Sequence, residues 1–171
     1  MSRILVFVLA SLLTACSDSG DTNVQSSSTP SVELPNMQKV LQSKFLNAKP
    51  GEVITIPAGT FDFQRSLSLK VDGVTVRGAG MDKTILNFKN QISGAEGILV
   101  TASDFTIEDL AIEDTKGDAL KINDGKNIVV RRVRTEWTNG PDTNNGAYGI
   151  YPVQTENTLI EGVIAIGASD A

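Results

Sequence analysis

Residues 105–112 read FTIEDLAI, and the same cadence returns as IVVRRVRT at 128–135 and TLIEGVIA at 158–165. A looser copy, VTVRGA, occupies 74–79. In each copy apolar residues alternate with others over a short run, two residues break the alternation, and a second run resumes it. Alternation at period two is what a strand with one buried face requires. The two-residue break marks a corner where the strand changes direction. Each copy follows a residue that tolerates a tight turn: Asp104, Asn127, Asn157 or Gly73.

The copies lie 31, 23 and 30 residues apart. A unit of about 23 residues, lengthened by insertions such as TNGPDTNN at 138–145, accounts for all three. A repeat of that size without helical segments predicts a β-solenoid, each coil adding about 4.8 Å of height. Leucine-rich repeats share the period, but they need several leucines and a fixed asparagine per unit, whereas the inward positions here are mainly Ile, Val and Phe. A β-sandwich does not predict aligned copies.

Upstream of the repeats, LPNMQKVLQSKFLNAKPGE places Met37, Val40, Leu41, Phe45 and Ala48 at helical spacing. Pro35 lies near the start, and Lys49-Pro50-Gly51 stops the run. The first coil of a solenoid exposes unpaired backbone and apolar core, which is a template for aggregation. An amphipathic helix of about three turns at residues 34–50 would cover that end. No such cap is visible downstream. Asp170-Ala171 line up with Asp118-Ala119, where another coil would begin, so the chain is expected to be the N-terminal part of a longer solenoid.

The whole chain has 171 residues, 20% charged and 40% hydrophobic, with a net charge of −5. An acidic balance without a clustered basic stripe argues against nucleic acid as a partner. Histidine is absent, which removes the commonest general base and metal ligand at neutral pH. A single cysteine excludes an intrachain disulfide and a thiolate metal cluster. Asp118, Asp124 and Asp142 share no calcium-loop spacing, so no metal or cofactor is expected and calcium is unsupported.

The N-terminus, MSRILVFVLASLLTACSDSG, has Arg3 followed by an apolar stretch from Ile4 to Ala15. That stretch spans roughly 18 Å as a helix, too short for a hydrocarbon core of ~30 Å, so residues 1–15 read as a signal peptide. Leu13-Thr14-Ala15-Cys16 resembles the lipobox of bacterial lipoproteins. The resemblance implies cleavage before Cys16 and acylation of its thiol, giving a membrane anchor. An ordinary signal peptide with a chance cysteine is the alternative. Ser17 follows the cysteine where an aspartate would favour inner-membrane retention, so export to the outer membrane, on its periplasmic or surface face, is expected. Residues 16–33 then carry the acylated cysteine and a polar tether.

Counting back from Asn127 and Asn157 assigns Leu120 and Ile150 to the interior and places Lys121 and Tyr151 outward, one above the other. The insertion at Asn139–Asn145 falls just before and would wall one side of a groove. Lys121, Asp142, Asn144, Tyr151 and Gln154 are therefore the candidate contacts for a polymer lying along that face. Trp137 and Tyr151 are the rings available to stack on sugars, although a single Trp at a coil corner more commonly packs locally. Arg131, Arg132 and Arg134 flank Val130 and Val133, and read first as a solvated surface.

From about Gly51 to Ala171 the chain resembles the right-handed parallel β-helix superfamily, which includes pectate lyases, alginate epimerases and bacterial lipoproteins. GEVITIPAGTF at 51–61 and VTVRGAGMDKTIL at 74–86 are similar to its first coils. The resemblance implies an all-β, right-handed parallel β-helix over 51–171. Tyr148-Gly149-Ile150-Tyr151-Pro152-Val153-Gln154 is similar in frame to the epimerase motif Tyr-Gly-x-Asp-Pro-His-Asp. Tyr151 stands where that motif has its first aspartate, Val153 at its histidine and Gln154 at its second aspartate. Valine transfers no proton, and glutamine is no base at neutral pH. A catalytic arginine of the pectate-lyase kind would need calcium-binding carboxylates beside it.

The expected function is thus a lipid-anchored, exported solenoid that binds a polysaccharide or envelope glycan on one lateral face. The net negative charge disfavours polyuronates unless local Arg or Lys offset it. One alternative is a carbohydrate-active enzyme, a lyase, epimerase or hydrolase, whose catalytic residues lie in later coils. Another is a structural or maturation-type surface protein that binds no glycan.

Overall fold

The computed structural model describes residues 36–170. The expected signal peptide, Cys16 and tether lie outside the described residues. One helix, α1 (Met37–Asn47), precedes ten strands: β1 (Val53–Thr55), β2 (Gly59–Asp62), β3 (Arg65–Leu69), β4 (Thr75–Arg77), β5 (Thr84–Asn87), β6 (Ser93–Val100), β7 (Thr106–Glu113), β8 (Leu120–Glu136), β9 (Ile150–Glu161) and β10 (Ile164–Ile166). The strands join in one hydrogen-bonded sheet, every pairing parallel, wound into a β-solenoid of about four turns.

Each coil contributes three straight runs. The first is β1, β4 and residues 106–108, 129–131 and 159–161, in register as Ile54↔Val76↔Ile107↔Val130↔Ile160. The second is β2, β5, residues 110–113 and 133–136, and β10, with Leu86↔Ile112↔Thr135 stacked inside. The third is β3, β6 and residues 120–123 and 150–153, with Leu67↔Ile98↔Leu120↔Ile150 and Leu69↔Val100↔Ile122↔Pro152. Apart from the buried Thr135, this stacking fills the axis with apolar side chains. Each fully buried Val, Leu, Ile or Phe contributes about 1.5–3 kcal/mol relative to exposure. Phe63 and Phe88 extend the column, their rings 5.1 Å apart and stacked.

The corners expected from the repeat are present. Asp104, Asn127 and Asn157, which open successive copies, have φ of 52°, 56° and 54°, and Gly73 has 73°. This left-handed conformation suits Asn, Asp and Gly because a short polar side chain, or none, relieves the Cβ clash. The column also bonds to itself. Asn157 Nδ2 donates to Asn127 Oδ1 at 2.7 Å, and Asn127 Nδ2 to Asp104 Oδ1 at 2.8 Å. The two-residue breaks are corners as well, at Asp109, Arg132 and Gly162, with φ of 60°, 48° and 60°. Gly78 stands at the same point one coil earlier, where a Cβ would collide with the Asp109 carbonyl oxygen.

Helix α1 covers the first coil as expected, with Leu41 and Phe45 buried beneath it. Asn36 caps its N-terminus, its side chain accepting from Lys39 N at 3.3 Å. The helix also completes the edge strand. Gln38 Oε1 accepts from the N–H groups of Gln64 and Arg65 at 3.1 Å each. Gln42 accepts from Ser68 N at 3.1 Å and donates to Ser68 O at 3.1 Å. Two carboxamides four residues apart lie on one side of a helix. Here they stand in for the peptide groups of a missing strand, so β3 presents fewer free donors to a foreign edge.

Candidate surface on the third run

The outward positions of the third run form the column Leu99↔Lys121↔Tyr151, so Lys121 and Tyr151 are stacked neighbours, as the repeat predicts. The Lys121 ammonium lies 5.4 Å from the centre of the Tyr151 ring, within cation–π range. Tyr151 in turn stacks on Tyr148, centroids 4.3 Å apart and planes 24° from parallel. The result is a two-ring aromatic block with a cation at one side.

A second column borders this one at the turn into the run. Gly97 N–H donates to Asp118 O, and Ala119 N–H to Tyr148 O, which sets Glu96, Asp118 and Tyr148 at equivalent points of successive coils. Asp170 continues the series, its carboxylate accepting the Tyr148 hydroxyl at 2.9 Å. Asp118 and Glu96 approach the Lys121 ammonium at 3.7 Å and 3.9 Å, distances of loose ion pairs. The Tyr148 phenol is held above its ordinary value, first by its hydrogen bond to Asp170, then by the charge of Asp170 and by burial, with smaller contributions from Tyr151 and Asp118.

The other candidate residues are not gathered here. Asp142 and Asn144 close on each other: Asn144 N and Nδ2 both donate to Asp142 Oδ1 at 2.8 Å, and those bonds lower the Asp142 pKa from its ordinary value. Asn145 Nδ2 closes the insertion by donating to Gly140 O and ties it to the last described coil by donating to Gly167 O. Beside it Pro141, Asp142, Thr143, Ala168 and Ser169 line a hollow of about 220 Å³. Gln154 sits three residues beyond Tyr151, exposed, at a corner with φ 54°. Trp137 is buried and donates to Thr115 O at 2.7 Å, so its ring packs locally.

Four arginines lie away from this run, on the first and second runs and the corner between them, each paired. Arg65 instead opens β3 on the third run, exposed and in no ion pair among the described residues. Arg77 reaches Glu108 at 2.6 Å, Arg131 reaches Glu161 at 2.7 Å, and Arg132 grips Asp109 through Nε and Nη2 at 2.6 and 2.8 Å. Arg134 bonds Glu113 at 2.7 Å and also Glu136. Among the described residues no group of three or more His, Cys, Asp and Glu is arranged to hold a metal ion. No described helix is long and apolar enough to cross a membrane.

Sequence reasoning found Lys121 and Tyr151 but not the surrounding column of Glu96, Asp118, Tyr148 and Asp170 as a unit. The signal was available: those residues follow one another at coil spacing just ahead of the third run. Chemically the surface offers ring faces for stacking, an ammonium donor, and carboxylates able to accept hydroxyl hydrogens. No family model, curated protein or solved structure matches the chain.

Proposed function

We propose that this chain is an exported, lipid-anchored relative of the right-handed parallel β-helix proteins that holds a polysaccharide across its third run. The observation that carries this reading is the aromatic block of Tyr148 and Tyr151 beside Lys121, set on a straight run of parallel strands. Apolar ring faces edged by polar groups suit the alternating C–H and O–H surfaces of a sugar. Coils repeat about every 4.8 Å, comparable with the length of one pyranose unit, so a chain lying along the axis would meet equivalent positions coil after coil. Binding rather than turnover is favoured because the Tyr-Gly-x-x-Pro frame carries Val153 and Gln154 where acid–base groups would be needed.

Glycan-array binding of the full chain tests the reading. Signal on polysaccharide spots that falls at least tenfold in Tyr151→Ala supports it; no signal on any glycan, or signal indifferent to Tyr151, contradicts it. The anchor rests on Leu13-Thr14-Ala15-Cys16 and is tested separately. Metabolic labelling with a fatty-acid probe should mark the chain and be abolished in Cys16→Ser.

A further inference from the structure

Charge around the aromatic block narrows what can lie on it. Lys121 is the cation adjoining the rings, and it is faced by Asp118 at 3.7 Å and Glu96 at 3.9 Å. On the far side of Tyr148 stands Asp170, which already accepts the phenolic hydrogen at 2.9 Å. Three carboxylates therefore accompany one ammonium. Lys116, exposed at the preceding turn, narrows the balance around the rings without reversing it. The exposed Arg65 opens the same run and the exposed Lys70 follows its strand, but both stand in the first coil.

The arginines of the later coils, which could offset this field, are committed elsewhere; Arg65 opens β3 on the third run without an ion-pair partner among the described residues, but in the first coil. Arg77, Arg131, Arg132 and Arg134 are outward on the first and second runs or at the corner between them, each paired with at least one carboxylate. The screening length at physiological salt, about 8 Å, is longer than the separations among Lys121, its two carboxylates and the Tyr151 ring. A sugar carboxylate brought to the rings would meet these charges largely unscreened and find no free guanidinium in the coils of Lys121 and Tyr151, since Arg65 lies two and three coils away.

We infer that the polymer held on the third run is one whose contacting sugars are neutral, with hydroxyls and no carboxylates. This rests on the glycan reading above and reverses what the resemblance to polyuronate-processing proteins would suggest. Glu96 and Asp118 then act in two ways. They accept hydrogens from sugar hydroxyls, and they repel uronates, so selectivity comes from exclusion as much as from attraction.

Affinity electrophoresis of the full chain compares gels containing a neutral galactomannan or xyloglucan with gels containing polygalacturonate or alginate, at low and at physiological salt. Retardation in a neutral polymer, at least tenfold stronger than in either polyuronate at low salt, is the expected result. The Glu96→Gln/Asp118→Asn variant should raise polyuronate retention relative to neutral retention several-fold. Equal or stronger retention of the parent chain by polyuronate would overturn the inference while leaving glycan binding standing. So would an unchanged ratio in the variant. No retention in any gel would overturn the glycan reading itself and this inference with it.

Discussion

On the first run, Arg77, Glu108, Arg131 and Glu161 stand in one outward column, opposite charges in successive coils, with bonds of 2.6 and 2.7 Å at its two ends. On the third run the matching column is Leu99, Lys121 and Tyr151, and its ion pairs are stretched to 3.7 and 3.9 Å. Both columns grow from the same parallel register and the same packed axis. They differ in how far their polar groups satisfy one another. A column that neutralises itself holds coils in register and has little left for a ligand. A column of rings with loose charges contributes less to the fold and keeps its bonding capacity for something outside.

That comparison can be broken in four places. The axis serves both runs, so Leu110→Ala, at a fully buried position between corners, should cost about 3 kcal/mol and lower the melting temperature whichever side is probed. Next is Glu108, a nearly buried carboxylate between the Arg77 and Arg132 guanidiniums. Glu108→Gln leaves those two cations facing an amide and should cost about 2 kcal/mol in urea unfolding, less than for a fully buried pair because both guanidiniums reach solvent. Glycan retention should survive it.

The third place is Asp109, whose carboxyl is held below the ordinary value of 3.8 chiefly by its hydrogen bond to Arg132, with burial opposing. A depressed carboxylate contributes stability above its unfolded value and loses it as pH falls through the folded one. Asp109→Asn keeps a residue tolerant of φ 60° but removes the charge. The variant should be less stable by about 1 kcal/mol near neutral pH, and the gap should close as pH drops below about 4. A gap independent of pH would remove the ion pair from the account. The smallest effect on folding is expected at Tyr151. Tyr151→Ala should change stability by under about 1 kcal/mol while reducing glycan retention at least tenfold, the reverse of Glu108→Gln.

Much of the fold was readable from particular residues. The separations of 31, 23 and 30 residues reappear as Arg77–Glu108, Asp104–Asn127 and Asn127–Asn157 bonds. Leu120↔Ile150 and Lys121↔Tyr151 pair as counting from the turn asparagines places them. Helix α1 was legible from Leu41 and Phe45, because burial of one face imposes its own period. Gln38 and Gln42 were not, since nothing local distinguishes a glutamine on solvent from one bonded to backbone 26 residues away. The candidate surface was half legible. Alignment gives which residues share a column, but Asp142 and Asn144 satisfied each other within the insertion, and Gln154 fell at a corner that motif framing does not reveal.

The most direct test is hydrogen–deuterium exchange of the full chain with and without the polysaccharide that retards it most. Added protection confined to peptides spanning residues 118–123 and 147–153, with 106–108 and 129–131 unchanged, is the predicted result. Protection on the arginine–carboxylate column instead, or spread evenly round the winding, would contradict the division of labour between the two runs.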